Sequence, residues 1–173
     1  SVVVIDTSDM EIVRESKNSN SSHANLVCAL ASSYKKRSHI KHIGITTPYK
    51  EQASIFFFFF KINRHSSIAA ATVHSFQGSE RSLMIYDTVE GVGPHDYRHF
   101  LTDESINPRA INLHNVAASR AKAKLIFIIN SRYVRASFST GCFLQRVLDR
   151  AENEKCIISA SEALSAVGAT LDD

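Results

Sequence analysis

Short β-branched runs that close on a polar residue, alternating with helix-length amphipathic stretches, predict an α/β protein. Its sheet should be mostly parallel, with helices on both faces. Three observations carry this. The runs VVVI at 2–5 and LIFII at 125–129 are apolar throughout, as strands covered on both sides must be. The stretches between strands are long enough to return the chain across the sheet. The connections are rich in Asn, Ser, Gly and Pro, the residues of turns.

In chain order, the first strand ends at Asp6, and RESKNSNSS at 14–22 is polar and turn-like. A helix is predicted over 22–36. Leu26, Val27, Leu30 and Tyr34 stand near helical spacing, and Lys35, Lys36 and Arg37 face the negative end of its dipole. Residues 42–46 read as a strand, and Pro48 suits the first position of the next helix, where a missing N–H costs nothing. Strands follow at 69–73 and 83–88, joined by a compact turn through Gln77-Gly78. Residues 90–108 read as a loop, then a helix runs through Arg120 directly into the apolar run at 125–129. A helix at 143–151 and a strand at 156–158 complete one domain over 1–158, with 159–173 a weakly patterned tail. In open parallel sheets ligands gather at the carboxyl ends of strands. Thr46, Thr47, His74, Thr88 and Asn130 all follow predicted strands, so function is expected on that edge.

Composition narrows the class. The chain has 173 residues, 44% hydrophobic and 21% charged, with net charge +3 and a pI near 8.8. That suits a globular domain with a substantial core, compatible with a nucleic-acid partner without requiring one. Cys28, Cys142 and Cys156 are odd in number and far apart, with no metal-ligand spacing. Free thiols in an intracellular compartment (cytoplasm, nucleoid or nucleus) and no metal site are the expectation. No apolar stretch is long enough to span a membrane. The chain opens directly on a strand, as a segment cut from a larger protein would.

Three segments carry chemistry. NVAASRAKAKLI, at 115–126, puts the permanently charged Arg120 at a helix–strand junction, with five donors in the fork geometry that phosphate oxygens accept. In TVHSFQGSE, at 72–80, Gln77-Gly78 lets backbone approach a ligand closely, and Glu80 offers an acceptor for a ribose hydroxyl or an attacking water. Thr72, His74 and Ser75 are short donors suited to nucleic-acid phosphates. In ITTPYKEQ, at 45–52, Tyr49 and Gln52 share a helix face able to meet a base or a neighbouring domain. Each alone is equally a turn, a structural histidine or a capped helix. The run Phe56 to Phe60 covers more than one helix face, so a ring must point outward. It reads as core plus a domain contact, or as a stacking platform for unpaired bases.

Together, over residues 2–130, these segments resemble the fourth, fifth and sixth motifs of the second RecA-like domain of superfamily 1 helicases, in their Upf-like branch. The resemblance implies a RecA-like P-loop NTPase fold and the carboxyl-terminal motor domain of an ATP-dependent DNA or RNA helicase. ATP would lie between two RecA-like domains, the first supplying the phosphate-binding loop and the magnesium carboxylates. This chain would supply Arg120 as an arginine finger, Glu80 to the ribose, and Gln77-Gly78 to coupling. Gly78, Tyr49 and Gln52 would line the nucleotide side, with Thr47, Thr72 and His74 on the single-strand side. Departures accompany the match. No GxxxxGK[ST] and no acidic Walker-B strand occur, so the chain alone is expected to be inactive. Ser21 stands near a position where many relatives carry an arginine, with Arg14 and Lys17 the nearest substitutes. His114 replaces a usual leucine. A degenerate, non-catalytic nucleic-acid-binding or regulatory module is the alternative. An unrelated dinucleotide enzyme lacks its glycine fingerprint here.

Overall fold

The computed structural model describes residues 1–37, 39–73, 75–76, 80–93 and 102–168. Six strands form one sheet in the order β3-β2-β4-β5-β1-β6, every described pair parallel. The strands are β1 (Val2–Asp6), β2 (Ile43–Thr47), β3 (Ile68–Thr72), β4 (Arg81–Asp87), β5 (Ala121–Ile129) and β6 (Ile157–Ser159). The helices are α1 (Ser21–Lys35), α2 (Lys50–Ile62), α3 (Ala110–Ser119), α4 (Ser131–Ser137), α5 (Phe143–Asn153) and, after the last strand, α6 (Ala160–Val167).

Each face of the sheet buries its own core. Ile5, Ile43, Ile45, Leu83, Ile85, Ile126 and Ile128 point toward α1, α2 and α6. Val4, Met84, Tyr86, Leu125, Phe127 and Ile129 point toward α3, α4 and α5. This strict alternation, apolar on both sides, explains why the central strands read as unbroken hydrophobic runs.

Helix ends follow local chemistry. Asn20 caps α1, its side-chain oxygen accepting from the His23 amide at 3.0 Å. Pro48 is not the first helical residue: Tyr49 stays extended as the N-cap, and α2 begins at Lys50. Residues 159–173, unpatterned to the eye, contain α6. Ser159 and Glu162 form a reciprocal capping box, and Ala160, Ala163 and Leu164 join the core. The three cysteines are free; burial, with the nearby Asp87 charge, pushes the Cys28 thiol up to about 12. Among the described residues no helix is long and apolar enough to cross a membrane.

The link from β3 to β4 positions the site. It leaves the carboxyl end of β3, steps past β2 and enters the amino end of β4. Phe76 and Arg81 cross β2 where it carries Gly44. A Cβ there would sit 2.3 Å from Met84 Sδ, 2.8 Å from Phe76 Cζ and 3.0 Å from Arg81 Cγ. Only glycine leaves room for this crossing.

Candidate functional site

Two groups of polar residues stand at opposite edges of the sheet. The first is at the amino edge. Arg120 ends α3 and precedes β5, and its carbonyl accepts the Arg81 amide at 2.9 Å. Their guanidinium-bearing side chains start from adjoining backbone. The Arg81 stem lies on the α3 face, its Cζ 5.7 Å from the centre of the Phe76 ring. The Nε groups of Arg81 and Arg120 are both buried, with no hydrogen-bond partner among the described residues. A buried donor left unpaired costs roughly 1–3 kcal/mol, so each of them invites an acceptor, and an anion most strongly. Glu80 does not quench them. Its carboxylate reaches Lys122 Nζ at 2.9 Å, and that pair is open to water, with side chains 57% and 63% exposed. Such a pair holds weakly and yields readily to another partner.

The second group lies beneath the carboxyl edge and is sealed from solvent. Glu90 accepts from the Tyr49 hydroxyl at 2.6 Å, the Thr102 hydroxyl at 2.7 Å and Arg14 Nη1 at 3.1 Å. Arg14 also donates to the carbonyls of Ser16, Lys17 and Gly91. Asp87 accepts from His23 Nδ1 at 2.8 Å, Gln52 Nε2 at 2.7 Å and the Val89 amide at 2.9 Å. His23 Nε2 meets the Thr7 hydroxyl at 2.9 Å. Burial and the Glu90 charge hold the Tyr49 phenol well above its ordinary value, so it remains a donor. Tyr86 and His114 extend the network: Nε2 faces the Thr102 carbonyl, which can only accept, so Nδ1 is left to accept from the Tyr86 hydroxyl. This neutral tautomer agrees with burial lowering the His114 pKa.

Several expectations are corrected by these placements. The chemistry is not confined to the carboxyl edge, because Arg120 and Glu80 precede their strands and therefore stand at the amino edge. Tyr49 and Gln52 do not share a helix face, because Tyr49 is the extended N-cap ahead of α2, and both side chains turn inward. They are 2% and 0% exposed and bound into the Glu90 and Asp87 networks, so they offer no surface to a base. Thr47 is likewise buried, beside its register partner Thr72, which is half-exposed and bonded to Ser75. Asn130 caps α4. Arg14 is no substitute for the arginine missing near Ser21, being committed to Glu90. His74, Gln77 and Gly78 lie outside the described residues. Arg81 and Lys122 were missed. The signal for Arg81 was its place next to Glu80 at a strand start, close to the position Arg120 holds just before β5.

A family model described as an AAA domain matches residues 1–132. The chain is 31% identical over 114 residues to the putative helicase mov-10-B.1 of Danio rerio, covering 60% of this chain and 11% of that protein. It is 27% identical over 147 residues to the putative helicase mov-10-B.2 of the same organism, covering 76% and 14%. The chain spans only a small part of either relative's length. The family match takes in all three motif segments and five of the six parallel strands that carry them. The chain belongs to the AAA domain family, as a carboxyl-terminal, RecA-like helicase domain of the Upf-like type.

Proposed function

We propose that this domain is the second motor half of an ATP-dependent helicase acting on a single strand of DNA or RNA, inactive until a first RecA-like domain completes the nucleotide site. The observation that carries the reading is the pair of guanidiniums at the amino edge. Arg81 and Arg120 start from hydrogen-bonded backbone, and both hold a buried Nε with no acceptor among the described residues. A phosphate chain held by the first domain is an anion of the right kind for them. ATP, with magnesium held mainly by the first domain, would supply a phosphoryl group for transfer to water. Arg120 neutralises charge that builds on that group, an effect on the order of 10³–10⁵ in rate. Arg81 adds a second positive charge where Arg14 cannot. Glu80, paired with exposed Lys122, accepts from the ribose hydroxyls.

At the other edge, Thr72 and Ser75 present hydroxyls to a strand. The link from Thr72 to Arg81 joins the two edges and is shorter than the dozen or so residues usual for a parallel crossover. Gln77-Gly78 belongs to that link and carries the coupling between strand and nucleotide. Tyr49, Gln52 and Thr47 act from beneath, holding the ends of β2 and β4 rather than touching a ligand.

The test joins the chain to a Walker-containing first domain and measures strand-stimulated ATP hydrolysis. The expected result is strand-dependent turnover by the joined protein and none by the chain alone. Brisk hydrolysis by the isolated chain contradicts the reading. A joined protein that binds strands without hydrolysing ATP favours the non-catalytic alternative, for which the loss of an arginine near Ser21 is the supporting observation.

A further inference from the structure

Helix α2 buries Phe56 and Phe60 and leaves Phe57, Phe58 and Phe59 at 50%, 58% and 38% exposure. Phe57 and Phe58 meet edge to face, centroids 5.7 Å apart, so the two rings are not stacked on one another. They overhang the free side of β3, the edge strand of the sheet. Two hollows of about 440 and 540 Å³ lie along that edge and share Phe57 and Ala70, making one groove. Its far end is lined by Lys61, Arg64 and His65, and its near end by Lys50, Thr72 and Ser75. The groove therefore opens onto the edge where Thr72 and Ser75 meet a strand.

The charges point one way. Lys50, Lys61 and Arg64 are exposed along the groove, and Lys61 Nζ sits 5.7 Å from the Phe57 ring centre. The single acid of α2, Glu51, accepts from Ser16 and lines neither hollow. Arg64 has φ 54, the left-handed position after a helix that favours glycine. The His65 amide reaches back to the Phe60 carbonyl at 2.9 Å to close that turn. A long cation held in a strained conformation, where glycine would serve the fold better, suggests a use for the cation. Protein–protein contacts are depleted of lysine at their centres, whereas phosphates require cations and bases stack on exposed rings.

We infer that the α2–β3 groove binds an unpaired nucleic-acid strand, Phe57 and Phe58 stacking against bases while Lys50, Lys61 and Arg64 follow its phosphates. This rests on the strand-binding reading of the Thr72 edge and extends that track by about 16 Å, the rise of α2 from Lys50 to Lys61. Discrimination between base types should be slight, because every base has a ring face to stack.

The test is fluorescence anisotropy of the 173-residue chain with labelled oligo(dT) and with an abasic oligomer of equal length. Replacing both rings, Phe57→Ala with Phe58→Ala, is expected to weaken oligo(dT) about five-fold or more and leave the abasic oligomer unchanged. Arg64→Gly should lower the slope of log affinity against log salt by about 0.7 while leaving thermal stability equal or higher. Phe58→Trp should retain binding. If the ring variants bind oligo(dT) as the parent does while Thr72→Glu does not, the groove is overturned and the Thr72 edge stands. If the ring variants only lose self-association or bind a first motor domain more weakly, the patch is a protein contact and the inference fails. If no oligomer binds the parent chain, both readings fail together.

Discussion

Replacing Glu90 by alanine tests whether the buried network beneath the carboxyl edge holds the domain together. In the native fold that carboxylate is sealed from solvent and accepts from Tyr49, Thr102 and Arg14 at 2.6, 2.7 and 3.1 Å. Glu90→Ala takes the Glu90 carboxylate away from the Arg14 guanidinium, which has 1% of its side-chain surface exposed. Breaking a buried pair on one side costs about 3–5 kcal/mol, a large share of the roughly 5–15 kcal/mol that stabilises a domain. At about 2–4 °C per kcal/mol for a chain of this size, the melting temperature should fall by roughly 6–20 °C. Glu80→Ala is the control, because its exposed pair with Lys122 should contribute less than ~1 kcal/mol. Urea unfolding followed by far-UV circular dichroism measures both. Restoring an apolar pair, Arg14→Met with Glu90→Leu, should recover much of the loss. If Glu90→Ala and Glu80→Ala differ by less than about 1 kcal/mol, the network is not the support described here.

Two further outcomes follow from single side chains. Burial holds the His114 imidazole below its ordinary value, so the unfolded chain takes up a proton near pH ~6.5 before the folded one does. Stability from this group is therefore complete above that pH and is lost as pH falls toward the folded value. His114→Leu should flatten the decline in urea midpoint between about pH 6.5 and 5.5, and parallel declines in parent and variant would rule the group out. Gly44→Val places side-chain atoms against Met84, Phe76 and Arg81, and should cost about 1–3 kcal/mol in urea unfolding. A neutral result would mean that the β3–β4 link does not need this close approach.

How much of this was readable beforehand differs by feature. The strands were, because a parallel sheet buries both faces and leaves continuous apolar runs, so 2–5 and 125–129 fall within β1 and β5. Their order was not, since β4 lies between β2 and β5 through contacts remote in sequence. Helices α4 and α6 are short and set by caps at Asn130 and Ser159 rather than by periodicity, although the Ser159–Glu162 spacing was a signal in plain view. The burial of Arg14 depended on Glu90, far along the chain, and no local pattern announces such a pair. The expectation of function at the carboxyl edge rested on Thr46, Thr47, His74, Thr88 and Asn130 and left out the residues that precede strands. Arg120 and Glu80 stand before β5 and β4, which places them at the amino edge by sequence order alone.

The central claim is that Arg120 faces a phosphate chain held by another domain. Single-turnover ATP hydrolysis by the two-domain protein, compared between parent and Arg120→Ala at saturating strand, addresses it most directly. The expected result is a rate lower by a factor of about 10³ or more, with the melting temperature of the domain nearly unchanged because Nε has no hydrogen-bond partner to lose among the described residues. Undiminished turnover in Arg120→Ala would contradict the account.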